Sequence, residues 1–168
     1  MIFAIAIVFV AYLLVPTERS NPEKHPLSAA IVDQLGANYP SQEFIETAES
    51  TMRQAGFEVD VYPAEKVTVN LYEALPADAH KLIVFRVHIG TTRSAPGQVV
   101  ALFTNEPYTT VQYPWEQLND LVLPARVTNT SEAVFSVTSK FIRERSMADY
   151  DGAVIFLMGC IGLYSASP

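Results

Sequence analysis

Two short apolar runs, each followed by a residue that can take part in catalysis, constrain this fold more than any other feature. The first run, Lys81–Val87 (KLIVFRV), leads into His88, and the second, Ala153–Met158 (AVIFLM), leads through Gly159 into Cys160. Continuous runs of this length, rich in β-branched and aromatic residues, predict strands that are buried on both faces. The long segment between them leaves room for a crossover, so we expect two adjacent parallel strands.

The beginning of the globular part has the strand–helix–strand order of a parallel sheet. Ala29–Val32 predicts a buried strand, and after a loop Ser41 can cap a helix whose apolar residues recur at three- and four-residue steps. Gly56 is suited to ending this helix, and Phe57–Tyr62 alternates apolar and polar residues, as a strand with one partly exposed face does. This order favours an α/β fold with a parallel sheet.

The other elements are predicted from shorter patterns. Val67–Leu75 fits either a short strand or a helical turn. The remaining predictions are a loop bracketed by Gly90 and Gly97, a hairpin or edge strand at Val99–Phe103, a short helix within Tyr113–Leu123, an extended segment at Ala133–Val137 and a helix at Thr138–Met147.

The first residues differ in character from the rest of the chain. Met1–Val15 is apolar and uncharged, and a polar, proline-containing stretch follows it. The run is shorter than the roughly 20 residues that a membrane-spanning helix needs, and no A-x-A cleavage site follows it, so a complete signal peptide fits poorly. We expect residues 1–15 to be a membrane anchor or signal anchor, residues 16–26 a linker and residues 27–168 the globular domain. The alternative for the apolar run is a buried core helix or strand.

Charge and cysteine content argue against several classes of function. The 168 residues include 11 Lys and Arg against 18 Asp and Glu, a formal charge of −7, so the basic surface of a nucleic-acid-binding protein is not expected. A single cysteine cannot form an intramolecular disulfide and argues against a cysteine-based zinc site. The three histidines, His25, His80 and His88, lack the spacing of metal ligands. We therefore expect no metal site.

A thiol and an imidazole at neighbouring strand ends would form a nucleophile and its base. In open parallel sheets, ligands bind where the carboxyl ends of the strands and their loops converge. A free thiol has a pKa of about 8.5 and is mostly protonated at neutral pH, so a histidine beside it can accept its proton. Gly90 lies close after His88, and Gly159 and Gly162 surround Cys160. Such glycines let a substrate backbone approach and can supply N–H groups to an oxyanion.

The order strand, His-x-Gly, strand, Gly-Cys-x-Gly resembles the caspase-like cysteine peptidases, the clan of caspases, gingipains, clostripain and legumain. The resemblance covers residues 27–163, and the motifs RVH and MGC make it closest to the caspase-like proteins of archaea and bacteria. It implies a three-layer α/β/α fold with a mostly parallel central sheet and no metal or organic cofactor. It also implies Cys160 as the nucleophile, His88 as the general acid–base, and the N–H groups of Gly90 and Cys160 as the oxyanion hole. Many members have glycine directly after the histidine, where this chain has Ile89.

The resemblance adds two further expectations. In relatives that cleave after Arg or Lys, acidic residues on this rim line the specificity pocket, so Asp33, at the end of the first strand, is a candidate substrate-binding residue. Its alternative role is an Asx turn that opens the following loop. The sheet of the family continues beyond the cysteine strand, so we expect a domain that is incomplete at its C-terminus, with this strand as an exposed apolar edge.

The sequence thus predicts a membrane-anchored, extracytoplasmic cysteine endopeptidase that acts on peptide or protein substrates. Two alternatives stay open. One is a catalytically inactive caspase-like domain that serves as a surface binding or scaffold module. The other is a small ligand-binding domain of flavodoxin-like layout, whose weakness is the missing glycine-rich phosphate loop after the first strand.

Overall fold

The structure is a computed structural model that describes residues 27–78, 80–94, 97–127, 131–145, 150 and 152–159. The predicted anchor at 1–15, the linker at 16–26 and Cys160 lie outside these residues. Within the described ranges, no helix has both the length and the apolar character needed to cross a membrane.

The centre of the molecule is a parallel sheet of four strands. They are β1 (Leu27–Asp33), β2 (Phe57–Tyr62), β3 (Leu82–Arg86) and β8 (Val154–Met158). Their order across the sheet is β2-β1-β3-β8, and every neighbouring pair is parallel. The prediction that the histidine strand and the cysteine strand lie side by side in parallel is therefore confirmed for β3 and β8, in which Leu82 pairs with Val154 and Arg86 with Met158.

One face of this sheet is covered by helix α1 (Gln42–Gln54). Its apolar stripe, which includes Met52, packs against Ala29 and Ile31 of β1 and against neighbours on β2 and β3. Ser41 occupies the N-cap position as predicted, but its side chain makes no capping hydrogen bond, so its backbone alone starts the helix. Gly56 follows the last turn with a φ of +91°, a conformation that glycine adopts without steric cost.

The opposite face packs against two helices and a second sheet. Helix α2 (Val69–Ala74) resolves the ambiguous segment as helical, and Thr68 caps it by accepting the N–H of Leu71. Helix α4 (Ser139–Arg145) matches the helix predicted there. Residues of these helices, of the parallel sheet and of the second sheet share one buried core: Val32, Tyr72, Phe85, Phe135, Val137 and Phe141.

The second sheet is antiparallel, and it is the largest departure from the predicted fold. It consists of β4 (Ile89–Ser94), β5 (Gly97–Pro107), β6 (Val122–Ala125) and β7 (Val134–Thr138) in the order β4-β5-β7-β6. Most of the predicted loop between Gly90 and Gly97 is thus strand β4, and the outer layer on this side is not purely helical. Side-chain packing explains why this segment is a strand. Ile89 on β4 and Leu102 on β5 form a cross-strand pair that faces the core.

Short 3-10 helices at Gln34–Ala37, Ala64–Lys66 and Leu75–Asp78 lie between the longer elements. Helix α3 (Pro114–Leu118) lies within the segment predicted to hold a short helix. Each of the five residues of β8 is between 44% and 57% exposed, which contradicts the prediction of a buried strand and agrees with the expectation of an exposed apolar edge. Strand β8 pairs with β3 on one side, and no other described strand pairs with it. The fold is therefore mixed α/β, with one parallel and one antiparallel sheet around a shared core.

Candidate active site at the end of strand β3

His88 lies where the chain passes from the parallel sheet to the antiparallel sheet. The N–H of Val87 still donates to the carbonyl of Met158 on β8, at 3.1 Å. One residue later, the carbonyl of His88 accepts the N–H of Phe103 on β5, at 3.0 Å. The N–H of His88 belongs to neither ladder and donates to Oε1 of Gln34, at 2.7 Å. Two segments distant in sequence therefore hold His88 directly, and a third, β8, holds its neighbour Val87.

Two aromatic rings flank the His88 imidazole. The Tyr39 ring meets it edge-on, with ring centroids 5.8 Å apart, and the Phe103 ring lies at 5.9 Å. Its Nε2 atom is buried and has no hydrogen-bond partner among the described residues. Burial lowers the pKa of His88 below its ordinary value, because desolvation disfavours the charged imidazolium. The imidazole is thus mostly neutral at neutral pH, the form that can accept a proton.

Cys160 lies outside the described residues, but the residue before it does not. Gly159 follows β8 and sits against the residues on either side of His88. A side-chain carbon at position 159 would come within 2.5 Å of the Ile89 side chain and 2.8 Å of the Val87 carbonyl oxygen. Only glycine fits so close an approach. The chain therefore reaches position 160 from a point beside Val87 and Ile89.

Gly90, the predicted second oxyanion donor, lies in strand β4. It pairs with Ala101 in the β4–β5 hairpin. Hydrogen-bonded and non-hydrogen-bonded residue pairs alternate along antiparallel strands. The bond from the Phe103 N–H to the His88 carbonyl shows that the pair next to it, Ile89 and Leu102, is not hydrogen-bonded. The following pair, Gly90 and Ala101, is therefore hydrogen-bonded. The N–H of Gly90 thus points to Ala101 and is not free to bind an oxyanion. A side chain at position 90 would also approach the Phe103 ring to 2.8 Å.

Asp33 lies on the same rim as His88, as predicted, but its carboxylate is already paired. Oδ1 of Asp33 accepts a hydrogen bond from the Arg86 guanidinium at 2.5 Å, and both side chains are about nine-tenths buried. Arg86 also donates to the carbonyl of Tyr39, whose ring contacts His88. Asp33 thus supports the loop beside His88 through Arg86, and its charge is balanced before any ligand arrives.

A cleft opens near His88, and its residues were not predicted from the sequence. It has a volume of about 480 Å³ and is lined by residues of the β1–α1 connection, of β5, of the β6–β7 connection and of the start of β7: Gln34, Asn38, Tyr39, Asn105, Val127, Ser131, Glu132 and Val134. Gln34 and Tyr39 line the cleft and also contact His88, which itself does not line it, so the cleft lies next to the histidine. The signal in the sequence was the turn-rich stretch after the first strand, which was interpreted only as a loop.

His80, the other described histidine, lies at the opposite end of β3. Its Nδ1 atom is 2.5 Å from the Ser28 hydroxyl, and its Nε2 atom lies 3.9 Å from a carboxylate oxygen of Asp60. The two histidines therefore do not share a site. Among the described residues, no group of three or more His, Cys, Asp or Glu side chains is arranged to hold a metal ion.

Comparisons of the chain with protein-family models, with curated proteins and with solved structures found no match.

Proposed function

We propose that this chain is a cysteine endopeptidase with a caspase-like arrangement, in which Cys160 is the nucleophile and His88 the general acid–base. The observation that carries the proposal is the pairing of β3 with β8, since β3 leads to His88 and β8 leads through Gly159 to Cys160. The register of β3 and β8 pairs Arg86 with Met158, and a register that continued for two more residues would set His88 opposite Cys160. The buried Nε2 atom of His88, with no partner among the described residues, supports the same assignment.

The proposed reaction proceeds in two steps. His88 accepts the thiol proton of Cys160 as sulfur attacks the carbonyl carbon of the scissile peptide bond. The carbon–nitrogen bond then breaks, and the imidazolium gives its proton to the leaving amine, which leaves a thioester on Cys160. Water next attacks the thioester carbon while His88 takes one of its protons. The carbon–sulfur bond then breaks, the acid product departs, and the imidazolium of His88 returns its proton to the Cys160 sulfur. No cofactor takes part in this scheme.

The surroundings of His88 suit the base step. A neutral imidazole can take a proton at once, and burial lowers the pKa of His88 so that this form predominates at neutral pH. In this proposal the peptide lies in the cleft beside Gln34 and Tyr39, and Asp33 acts on it only indirectly, through Arg86. The backbone N–H of Cys160 is the proposed oxyanion donor, and Gly90 supports the packing of Phe103 instead.

A peptidyl electrophile tests the proposal directly, because the chain has a single cysteine. We expect the peptidyl electrophile to label the full chain once, at Cys160. Its labelling rate should exceed that of an alkylating reagent that lacks the peptide and has the same intrinsic reactivity. His88→Asn should slow labelling by about a hundredfold or more, the usual contribution of acid–base catalysis. His80→Asn, at the other end of β3, is the matched control and should label at the wild-type rate if it folds.

Three outcomes would contradict the proposal. Labelling that survives Cys160→Ala would exclude Cys160 as the nucleophile. Equal labelling rates for the wild type and for a folded His88→Asn would exclude the imidazole as its base. A folded wild-type chain that does not react at all would favour the inactive scaffold domain.

We also propose that residues 1–15 anchor the domain to a membrane, with the domain on the extracytoplasmic side. The uncharged apolar character of this run supports the proposal. Deleting residues 1–15 should move the protein from the membrane fraction to the supernatant of lysed cells, and external protease should reach the domain in intact cells. Retention of the deleted variant in the membrane fraction would contradict the anchor.

A further inference from the structure

We infer that Gln34 is a positioning residue for His88, holding the backbone from which the imidazole projects. For its effect on catalysis, this inference rests on the proposed function. The contact itself is independent of that function, since it is a hydrogen bond between a buried side chain and the backbone at the end of β3.

The N–H of His88 needs a partner from outside both sheets. In the antiparallel pair formed with β5, the carbonyl of Phe103 would be its acceptor. That carbonyl instead accepts the phenol hydroxyl of Tyr72, at 3.0 Å. A buried N–H without an acceptor is strongly disfavoured, and Oε1 of Gln34 fills the place at 2.7 Å.

The orientation of the Gln34 amide is set by its other contacts. Its Nε2 atom donates to Oδ1 of Asn105 at 2.8 Å, and Nδ2 of Asn105 donates back to the Gln34 carbonyl at 2.8 Å. Asn105 also donates to the carbonyl of Ala64 at 3.0 Å. Turning the Gln34 amide over would bring its NH₂ group against the N–H of His88, so only one orientation satisfies every donor. Gln34 is 1% exposed, which leaves it little room to move.

The side-chain amides of Gln34 and Asn105 connect His88 to the lining of the cleft. Gln34 and Asn105 both line the cleft, and Gln34 alone of the two bonds to His88. Acid–base catalysis depends on the placement of the imidazole, and an error of about 1 Å can cost about a hundredfold in rate. Gln34 therefore fixes the distance between the base and the bound peptide without touching the reacting atoms.

Three variants of the full chain separate this role from general packing. Gln34→Met keeps the length of the side chain and removes the acceptor. Gln34→Glu keeps an acceptor for the N–H of His88 and removes the donor to Asn105. Gln117→Met is the matched control, because the Gln117 amide also joins several segments, through Tyr108 and Thr109, but has no contact with His88.

Two readouts are followed in each variant: the exchange rate of the His88 amide hydrogen by NMR, and kcat and KM for a fluorogenic peptide. We expect the His88 amide hydrogen to exchange roughly tenfold faster in Gln34→Met than in the wild type, after correction for any change in global stability. A tenfold change is the usual effect of losing one hydrogen bond. Its kcat should fall by about a hundredfold, with a smaller change in KM. Gln34→Glu should keep the protection of the His88 amide, and Gln117→Met should change neither readout.

The inference is overturned if the His88 amide in Gln34→Met exchanges as slowly as in the wild type, or if Gln34→Glu behaves like Gln34→Met. Should Gln34→Met not fold, Gln34→Asn replaces it, because its shorter side chain keeps an amide in the site but withdraws the oxygen from His88. A wild-type chain that never cleaves peptide would refute the proposed function, whereas amide exchange would still decide the role of Gln34.

Discussion

Asp33 and Arg86 form an ion pair at the carboxyl ends of β1 and β3, with side chains 10% and 11% exposed. Burial makes the loss of one partner costly, because the other charge then stays desolvated. Asp33→Asn should lower the free energy of unfolding by about 3 kcal/mol, and the double variant Asp33→Asn/Arg86→Met should lose clearly less than the sum of the two single changes. Urea denaturation measures all three.

An exposed ion pair on α1 offers the matched control. Arg53 and Glu49 lie one turn apart and are 53% and 33% exposed. Removing this pair with Glu49→Gln should cost about 0.5 kcal/mol or less, since water already solvates both charges. If Asp33→Asn were as mild as Glu49→Gln, the rim beside His88 would not depend on its ion pair.

His88 should make stability depend on pH in a defined direction. Because burial lowers its pKa in the folded chain, the unfolded chain binds more protons just below the ordinary value of 6.5. The stabilising contribution is fully present above pH 6.5 and is lost as the pH falls from there through the folded pKa. Between pH 7.5 and pH 5, the wild type should therefore lose more unfolding free energy than His88→Asn. Parallel pH profiles of the two proteins would contradict this expectation.

Strand β8 presents an apolar edge at the scale of secondary-structure elements. All five of its residues are apolar and between 44% and 57% exposed, and no strand among the described residues pairs with its outer edge, so that edge can add another strand. We expect the chain to associate as its concentration rises and Ile155→Lys to reduce this association, as measured by sedimentation velocity. Val111→Lys is the control, because Val111 is 80% exposed but lies away from β8 in a turn. Equal association of both variants would place the contact elsewhere.

At the scale of the whole molecule, the core shared by the two sheets should make them unfold together. Phe135 on β7 is fully buried, and its ring centroid lies 5.0 Å from that of Tyr108 and 5.1 Å from that of Tyr113. Phe135→Ala should cost about 3–5 kcal/mol, the usual range for a buried phenylalanine. Leu118→Ala, at a position 86% exposed, should change stability by about 0.5 kcal/mol or less.

Two probes test whether the sheets are coupled. Far-UV circular dichroism follows the secondary structure, and the fluorescence of Trp115, on the short helix α3, follows the antiparallel side. In urea both transitions of Phe135→Ala should shift to lower concentration and stay coincident. Separate transitions for the two probes would show that the sheets unfold independently.

The sequence alone was sufficient for the parts of the fold that depend on local pattern. Strand β2 was predicted at Phe57–Tyr62 with the bounds that it has, and α1 was predicted from its periodicity and from Gly56. The adjacency of β3 and β8 also followed, because both apolar runs predict strands and the segment between them is long enough for a crossover between parallel neighbours. His88 was therefore placed correctly at a strand end, and Cys160 remains a prediction.

Tertiary structure decided what depends on partners distant in sequence. No local pattern in the sequence indicates that Gln34 bonds to His88 or that Arg86 neutralises Asp33. Nor does one indicate that strand pairing directs the N–H of Gly90 toward Ala101. Each of these contacts joins residues of different strands or loops, and their geometry is fixed only when the sheets are assembled. The apolar runs determined which strand leads to His88, whereas the packing of the two sheets determined which neighbours hold its imidazole.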